Sequence, residues 1–244
     1  MTTPRLHHEI AHGGKLAQGY PELIWGWGTP AGRLRAARRA QMIASGACLE
    51  PGVRVLEIGC GTGLFTEKFA ESEAQLVAVD ISPDLLGMAK ARGLSSDKVQ
   101  FLQKRFEDCD VDGPFDAVIG SSVLHHLRIK EALKKIYELL KPGGIGSFAE
   151  PNMLNPQIFF QKNIPWLKKR LGDSPDETAF VRRQLRTLLL KTGFERVEIT
   201  PFDWLHPGTP EPLIKGVVNL GTVLERIPII REFAGSLYIR CRKP

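Results

Sequence analysis

The sequence predicts an α/β fold: an open, mostly parallel sheet of seven strands with helices on both faces. Three observations point there. From residue 53 onward, short apolar runs alternate with stretches of helical spacing, the rhythm of strand–helix–strand crossovers. The first run, Val53 to Ile58, leads straight into three closely spaced glycines, as a buried parallel strand does where it turns into a helix. Proline and glycine also fall at helix ends, at Pro30, Gly46, Pro83 and Gly93, where they start and stop helices.

The elements follow in order. Residues 1–28 are rich in Gly, His and Trp and lack strong periodicity. Thr29-Pro30 is an N-cap with proline at the first helical position, and that helix runs toward Ser45. Its polar face carries Arg33, Arg35, Arg38 and Arg39. Strands are expected at 53–58, 75–79, 99–102, 115–120, 145–149, 194–200 and 236–241. A helix from about Gly63 to Glu71 places Leu64, Phe65 and Phe69 on one side. The next starts at the Ser82-Pro83 cap. Ile129, Leu133, Ile136 and Leu140 fall at helical spacing, and Lys141-Pro142-Gly143-Gly144 stops that helix. Ser174-Pro175-Asp176-Glu177 reads as a capping box opening a helix that ends near Gly193.

Two stretches break the rhythm. Residues 151–173 hold three prolines and a Phe159-Phe160 pair, and residues 201–234 hold five prolines. The expected organisation is therefore an N-terminal cap and helix over 1–46 and a body over 47–244. Insertions near 151–175 and 201–234 would form a substrate lid.

Composition narrows the class. With 244 residues, 43% hydrophobic and 25% charged, the chain reads as globular rather than disordered. A formal charge of +6 fits plain solubility as well as contact with nucleic acid or an anionic membrane. Cys48, Cys60, Cys109 and Cys241 form no C-x-x-C pair, which argues against a zinc cluster or disulfide framework and for a reducing compartment. No apolar core of a signal peptide opens the chain, and no stretch of 18 apolar residues would span a bilayer. A cytoplasmic location, with peripheral membrane contact left open, is the expectation.

The chemistry gathers at Val55-Leu56-Glu57-Ile58-Gly59-Cys60-Gly61-Thr62-Gly63. Glycines at this turn let the backbone bend and approach a ligand closely. The spacing is G-x-G-x-G, not the dinucleotide G-x-G-x-x-G. Glu57, just before the glycines, would repel a pyrophosphate but suits a ligand carrying an ammonium. Asp80 ends the second strand, where an acid accepts hydrogen bonds from ribose hydroxyls. The bland alternative for both acids is a polar strand end.

With these residues in view, the chain resembles the class I S-adenosylmethionine-dependent methyltransferases of the small-molecule type, over about residues 50–200 and the last strand. The resemblance implies a Rossmann-like sheet and S-adenosylmethionine as cofactor. It assigns the methionyl part to Glu57, Gly59, Cys60, Gly61, Thr62 and Gly63, the ribose to Asp80, and adenine packing to Ile81. Phe115 to Leu127 matches the fourth strand and its exit, setting Ser121 and Ser122 beside the sulfonium. Leu140-Lys141-Pro142-Gly143-Gly144 matches the turn before strand five. One departure stands at Lys104-Arg105-Phe106-Glu107, where the family often has Gly-Asp-Ala-Glu. Arg105 occupies the usual acid position, leaving Phe106 and Glu107 as adenine contacts or Asp108 as a replacement acid.

Methyl transfer needs mainly positioning, because the cofactor carries the activation. Where the acceptor must lose a proton, a base is needed. His126, after strand four, and Glu150, at the end of strand five, are the catalytic candidates. The alternative is a packing histidine and a loop-orienting acid, and His125 would turn away if its neighbour faces the site. His8-Glu9-Ile10-Ala11-His12 matches the H-E-x-x-H zinc pattern, but Gly13-Gly14 follow at once and no second metal motif appears, so no metal is expected.

Trp25, Trp27, Phe159, Phe160, Trp166, Trp204, Leu213 and Ile214 make the capping segments apolar. They either wall a pocket for a small organic or lipid-like acceptor or merely pack the lid on the sheet. The alternatives are an RNA methyltransferase using basic residues such as Lys168-Lys169-Arg170, a non-catalytic S-adenosylmethionine-binding regulatory domain, and, more weakly, a nicotinamide oxidoreductase. RNA is disfavoured by the lack of a separate binding module. Oligomeric state is not set by the sequence.

Overall fold

The computed structural model describes residues 4–171, 173–174 and 176–244. Seven strands form one sheet: β1 (Arg54–Ile58), β2 (Gln75–Asp80), β3 (Val99–Gln103), β4 (Phe115–Ser121), β5 (Leu140–Pro151), β6 (Glu195–Phe202) and β7 (Ser236–Arg242). Their order is β3-β2-β1-β4-β5-β7-β6. Only β7 runs antiparallel, against both β5 and β6. The seven strands and the mostly parallel sheet expected from the sequence are therefore present. Strand order reverses between β1 and β4, and the crevice outside their carboxyl ends is where such sheets place ligands.

Side-chain alternation along each strand feeds two cores. On one face, α3 (Pro30–Gly46), α4 (Leu64–Ala70) and α5 (Pro83–Lys90) cover Val55, Leu76, Ala117, Ile119 and Ala149. On the other, α6 (Ile129–Leu139) and α9 (Arg182–Thr192) cover Leu56, Val118, Phe148 and Ile239. Thr29 and Ser82 cap α3 and α5 as expected, their side chains accepting from Gly32 N and Leu85 N. Between β4 and β5 the register shifts, so that Phe115 pairs with Leu140 while Ala117 pairs with Ile145. The Pro142-Gly143-Gly144 stretch is thus a bulge inside β5 rather than a loop before it.

Three expectations change. Residues 1–28 contain two helices, α1 (Pro4–Ala17) and α2 (Pro21–Ile24); Met1–Thr3 lie outside the described residues. The 151–173 stretch holds α7 (Pro156–Asn163) and α8 (Pro165–Arg170), and 201–234 holds α10 (Glu211–Leu224). Pro156, Pro165 and Pro212 sit in the first turns of these helices, where the missing N–H costs nothing. Finally, the expected capping box opens no helix: α9 begins only at Arg182. Pro175 lies outside the described residues. Ser174 N–H does donate to Glu177 Oε2 at 3.1 Å, but Glu177 is drawn into the interior by a histidine and a lysine described below.

The N-terminal and inserted helices bridge the carboxyl edge of the sheet. α1 packs on α5, with Gly13 so close to Ser82 that a Cβ there would collide. Phe69 of α4 is fully buried and stacks on Phe65. Phe69→Ala should therefore cost about 3–5 kcal/mol, read as a lower denaturant midpoint; an unchanged midpoint would contradict this core assignment.

Candidate functional site

A cavity of about 480 Å³ opens at the carboxyl ends of β1–β5. Its wall is built from the turns that follow these strands, and its roof from α1, α2, α7 and the 203–207 loop.

The glycine turn supplies the first wall. Gly59, Gly61 and Gly63 all have left-handed backbone (φ +65°, +51° and +77°), which L side chains rarely adopt. A Cβ on Gly59 would also strike Val123. Gly59 N–H and Cys60 N–H donate to Val79 O, and Thr62 Oγ1 donates to Glu22 Oε1 of α2 at 3.0 Å. Cys60 is buried and its thiol is pushed well up by burial, which leaves it inert. Asp80 accepts Gly61 N–H at 2.7 Å and Ser82 N–H at 2.8 Å. Burial raises its carboxyl against the pull of those donors. Ile81, Arg105, Phe106 and Glu107 border the same space. Arg105 is neutralised locally by Glu107 (3.4 Å) and Asp108 (2.8 Å).

Glu57 is placed elsewhere. Strand alternation turns it to the face shared with Val55, toward α4, and it does not line the cavity. Burial pushes its carboxyl up to about 8, so at neutral pH it is largely protonated and offers an ammonium little charge.

A residue that sequence reasoning treated as surface occupies the cavity instead. Arg39 is 2% exposed, and burial lowers its guanidinium to about 10. It donates to Ser122 Oγ, Ala149 O and Ser236 Oγ, and no carboxylate of the described residues pairs with it. The signal was available: Ala36, Arg39, Ala40 and Ile43 fall at one helical face, and Ala36, Ala40 and Ile43 are core residues. Beside it, Ser122 is a non-glycine residue with φ +55°, a strain typical of functional turns. Ser121 Oγ and Trp204 Nε1 are buried with no hydrogen-bond partner among the described residues, and both residues line the cavity.

The acid–histidine cluster forms the far wall. Glu150 has no exposure and lies behind the cavity surface rather than on it. Its carboxylate accepts Val123 N–H (2.9 Å), Leu124 N–H (2.8 Å), His125 N–H (3.4 Å) and His125 Nδ1 (2.6 Å). It orients the turn and does not face the cavity, against the catalytic role expected from the sequence. His125 Nε2 lies 3.3 Å from Glu177. Burial opposes the imidazolium, but Glu150 and Glu177 outweigh it and raise His125 to about 9. Lys162 and Asp173 complete the cluster around Glu177, Lys162 lying 2.8 Å from Asp173. His126 faces the cavity, and its Nδ1 lies 3.0 Å from Glu9 Oε2 of α1. Ser174 Oγ donates to the other oxygen of Glu9 at 2.6 Å. Despite burial, His126 and Ser174 hold Glu9 below the ordinary carboxylate range. His12, also on the wall, is held below its ordinary value by burial.

His125, His126 and Glu177 bring three potential metal-ligand atoms within 4.8 Å. The same three side chains also meet Glu150, Glu9 and Lys162. The His8 and His12 pair does sit on a helix, but His8 turns to Asp176 at 3.0 Å, away from the wall that His12 lines.

Comparison with known proteins bears on this geometry. Residues 55–144, from β1 through the bulge of β5, match the family described as a methyltransferase domain. That stretch of the chain is similar to a methyltransferase domain. Over 97 residues it is 40% identical to a ubiquinone biosynthesis O-methyltransferase of Xanthomonas oryzae pv. oryzae (strain PXO99A), a stretch covering 38% of this chain and 41% of that relative. The chain thus matches less than half the length of that relative. The fold extends further than the identity. The N-methyltransferase NodS from Bradyrhizobium japonicum WM9, solved with S-adenosyl-l-homocysteine, superposes with a TM-score of 0.66 at 18% identity, over 97% of this chain and 99% of that one. A Haemonchus contortus phosphoethanolamine N-methyltransferase 2 with S-adenosyl-L-methionine superposes with a TM-score of 0.63 at 18% identity, over 90% and 55%.

The His125 cluster has a pH signature. Its raised value means its stabilisation is complete below the unfolded value of 6.5 and is lost as pH rises through about 9. Glu150 and Glu177 are depressed despite burial, so their contribution is complete above 4.5 and fades as pH falls. The melting temperature should therefore decline from pH 6.5 toward pH 9, and His125→Asn should flatten that alkaline decline. A wild-type protein whose melting is level across this range contradicts the ion-pair assignment.

Proposed function

We propose that the chain is an S-adenosylmethionine-dependent methyltransferase that methylates a hydroxyl of a small, partly apolar molecule. The observation that carries it is the pairing, on one cavity, of the Gly59–Gly63 turn locked to Asp80 with the buried guanidinium of Arg39, which is held by hydroxyl and carbonyl oxygens. That donor set fits an amino-acid nucleoside. Asp80 would accept the ribose hydroxyls, Arg39 would hold the methionyl carboxylate, and the turn would pack against the chain between them. Ile81 and Phe106 would hold adenine, with Glu107 rather than Arg105 meeting its amine. Cys60 and Thr62 contribute backbone, and Glu57 supports the turn from behind. Ser121, partnerless and in the wall, would point to the transfer site with Ser122.

When bound, the cofactor supplies an electrophilic methyl group. The protein then has to orient the acceptor and remove its proton. His126 is the base in this reading. Glu9 and Ser174 fix its ring, and Glu150 fixes the turn that carries it. His125, held as an imidazolium, cannot serve as a base at neutral pH. The relatives named O-methyltransferase support an oxygen acceptor. The capping segments, 1–46 with the insertions near 151–175 and 201–234, act as the lid. Arg35 and Arg38 of α3 are spent on Asp203 and Glu225, which weakens the RNA alternative.

Thermal-shift titration is the direct test. S-adenosylmethionine and its demethylated product should raise the melting temperature, while NAD should not; stabilisation by NAD alone sinks the proposal. Arg39→Met should weaken cofactor binding, read as a smaller cofactor-induced melting shift relative to the variant's own free protein. His126→Asn should lower kcat by about 10²–10⁴-fold with cofactor affinity retained, measured by radiolabel transfer to small hydroxylated acceptors. Equal turnover removes His126 from the mechanism.

A further inference from the structure

The exposed large apolar side chains are not scattered. Of those among the described residues, all but Met88 and Leu190 lie on the N-terminal segment and the two insertions. Scattered exposed apolar residues need no explanation, but a collection on one set of elements does. On α7 the two sides divide sharply. Ile158, Gln161 and Lys162 line the cavity, while Phe159 and Phe160 face outward, the latter 54% exposed. Trp166 on α8 is 64% exposed, and Leu154 and Leu171 flank the pair. Asn155 Nδ2 donates to Phe233 O, and Gln157 Nε2 meets His206 Nε2 at 3.1 Å, so the second insertion adjoins this hairpin. It adds Ile229, Ile230 and Phe233, with Ile229 at 78% exposure.

Along the α7–α8 hairpin the charge has one sign. Residues 154–171 contain no Asp or Glu, and Lys169 and Arg170 are exposed beside Trp166. In the second insertion, Glu225 and Glu232 are taken up by Arg38 and Arg182. Aromatic and aliphatic side chains flanked by exposed cations suit the boundary between acyl chains and anionic headgroups. A two-fold contact of this surface with itself would instead bring its cations together. No helix of the described residues is long and apolar enough to cross a membrane, which leaves docking on the surface.

We infer that the outer face of the α7–α8 hairpin, with the adjoining 229–233 segment, docks on an anionic lipid bilayer and sets the cavity rim against it. An amphiphilic acceptor dissolved in the bilayer then reaches the cavity along the inner face of α7 without crossing water. The inference does not depend on the cofactor, so its test reads binding and not turnover.

The experiment is flotation of the full chain with phosphatidylcholine vesicles, with and without phosphatidylglycerol. The chain should float with the anionic vesicles only, and added salt should weaken the association. Phe160→Ser with Trp166→Ser, and separately Lys169→Glu with Arg170→Glu, should each weaken it at least about tenfold. Both variants change exposed side chains, so their melting temperatures should match the wild type, and Met88→Ser with Leu190→Ser should bind as wild type. Failure to float with anionic vesicles overturns the inference, as does flotation that survives both rim variants. Light scattering that shows a dimer abolished by the Phe160/Trp166 change, with no vesicle binding, overturns it in favour of a second copy.

Discussion

Glu150 has no contact with water, and a carboxylate so placed persists only if hydrogen bonds replace its hydration. Here three successive backbone N–H groups and an imidazole do so. Those donors belong to the turn leaving β4, so the carboxylate at the end of β5 dictates the shape of the neighbouring strand's exit. Val123, the first residue held, packs against Gly59 and Gly120 at distances that admit no side chain there. The position of the glycine turn is thereby tied to the same anchor. His126 comes immediately after the held segment, which therefore sets where it leaves the turn.

The cap is fastened differently from the sheet. The strands and their covering helices meet through apolar surface, whereas the cap adds to its apolar contacts (Ala31 with Leu205 and Ile214, Trp27 with Phe65) a set of charged pairs: Arg35 with Asp203, Arg38 with Glu225, and Arg92 between Glu22 and Glu67. Two of the arginines also lie over Trp27 and Phe202. α3 is consequently a hinge-side support for the cap as much as a cover for the sheet, with its arginines as the fasteners.

The sheet was legible because its signals are local. Each strand is a short run between turn residues, and Gly59, Asp80, Ser82 and Gly143 mark the turns by their own conformational needs. The cap was less legible because its helices begin on prolines, and proline in quantity looks like irregular chain when its position within the turn is unknown. The site was legible where one turn builds it, at Gly59–Gly63 and Asp80. It was opaque where distant segments meet. Nothing near His126 announces that Glu9 will orient it, and nothing near Glu177 announces His125 and Lys162. Arg39 was hidden by its charge, since a helical arginine is usually solvated. Glu57 lies off the cavity wall because a strand position fixes the face a side chain takes, and the one-residue step from Ile58 turns it toward Thr66 of α4.

α1 touches both halves of the cavity. Gly13 lies against Ser82 on the side of the glycine turn and Asp80, and Glu9 pairs with His126 on the opposite side. One rigid helix therefore reports on both. Any displacement of α1 therefore shifts its contact with Ser82 and its contact with His126 together, so the two walls of the cavity are not independent of each other.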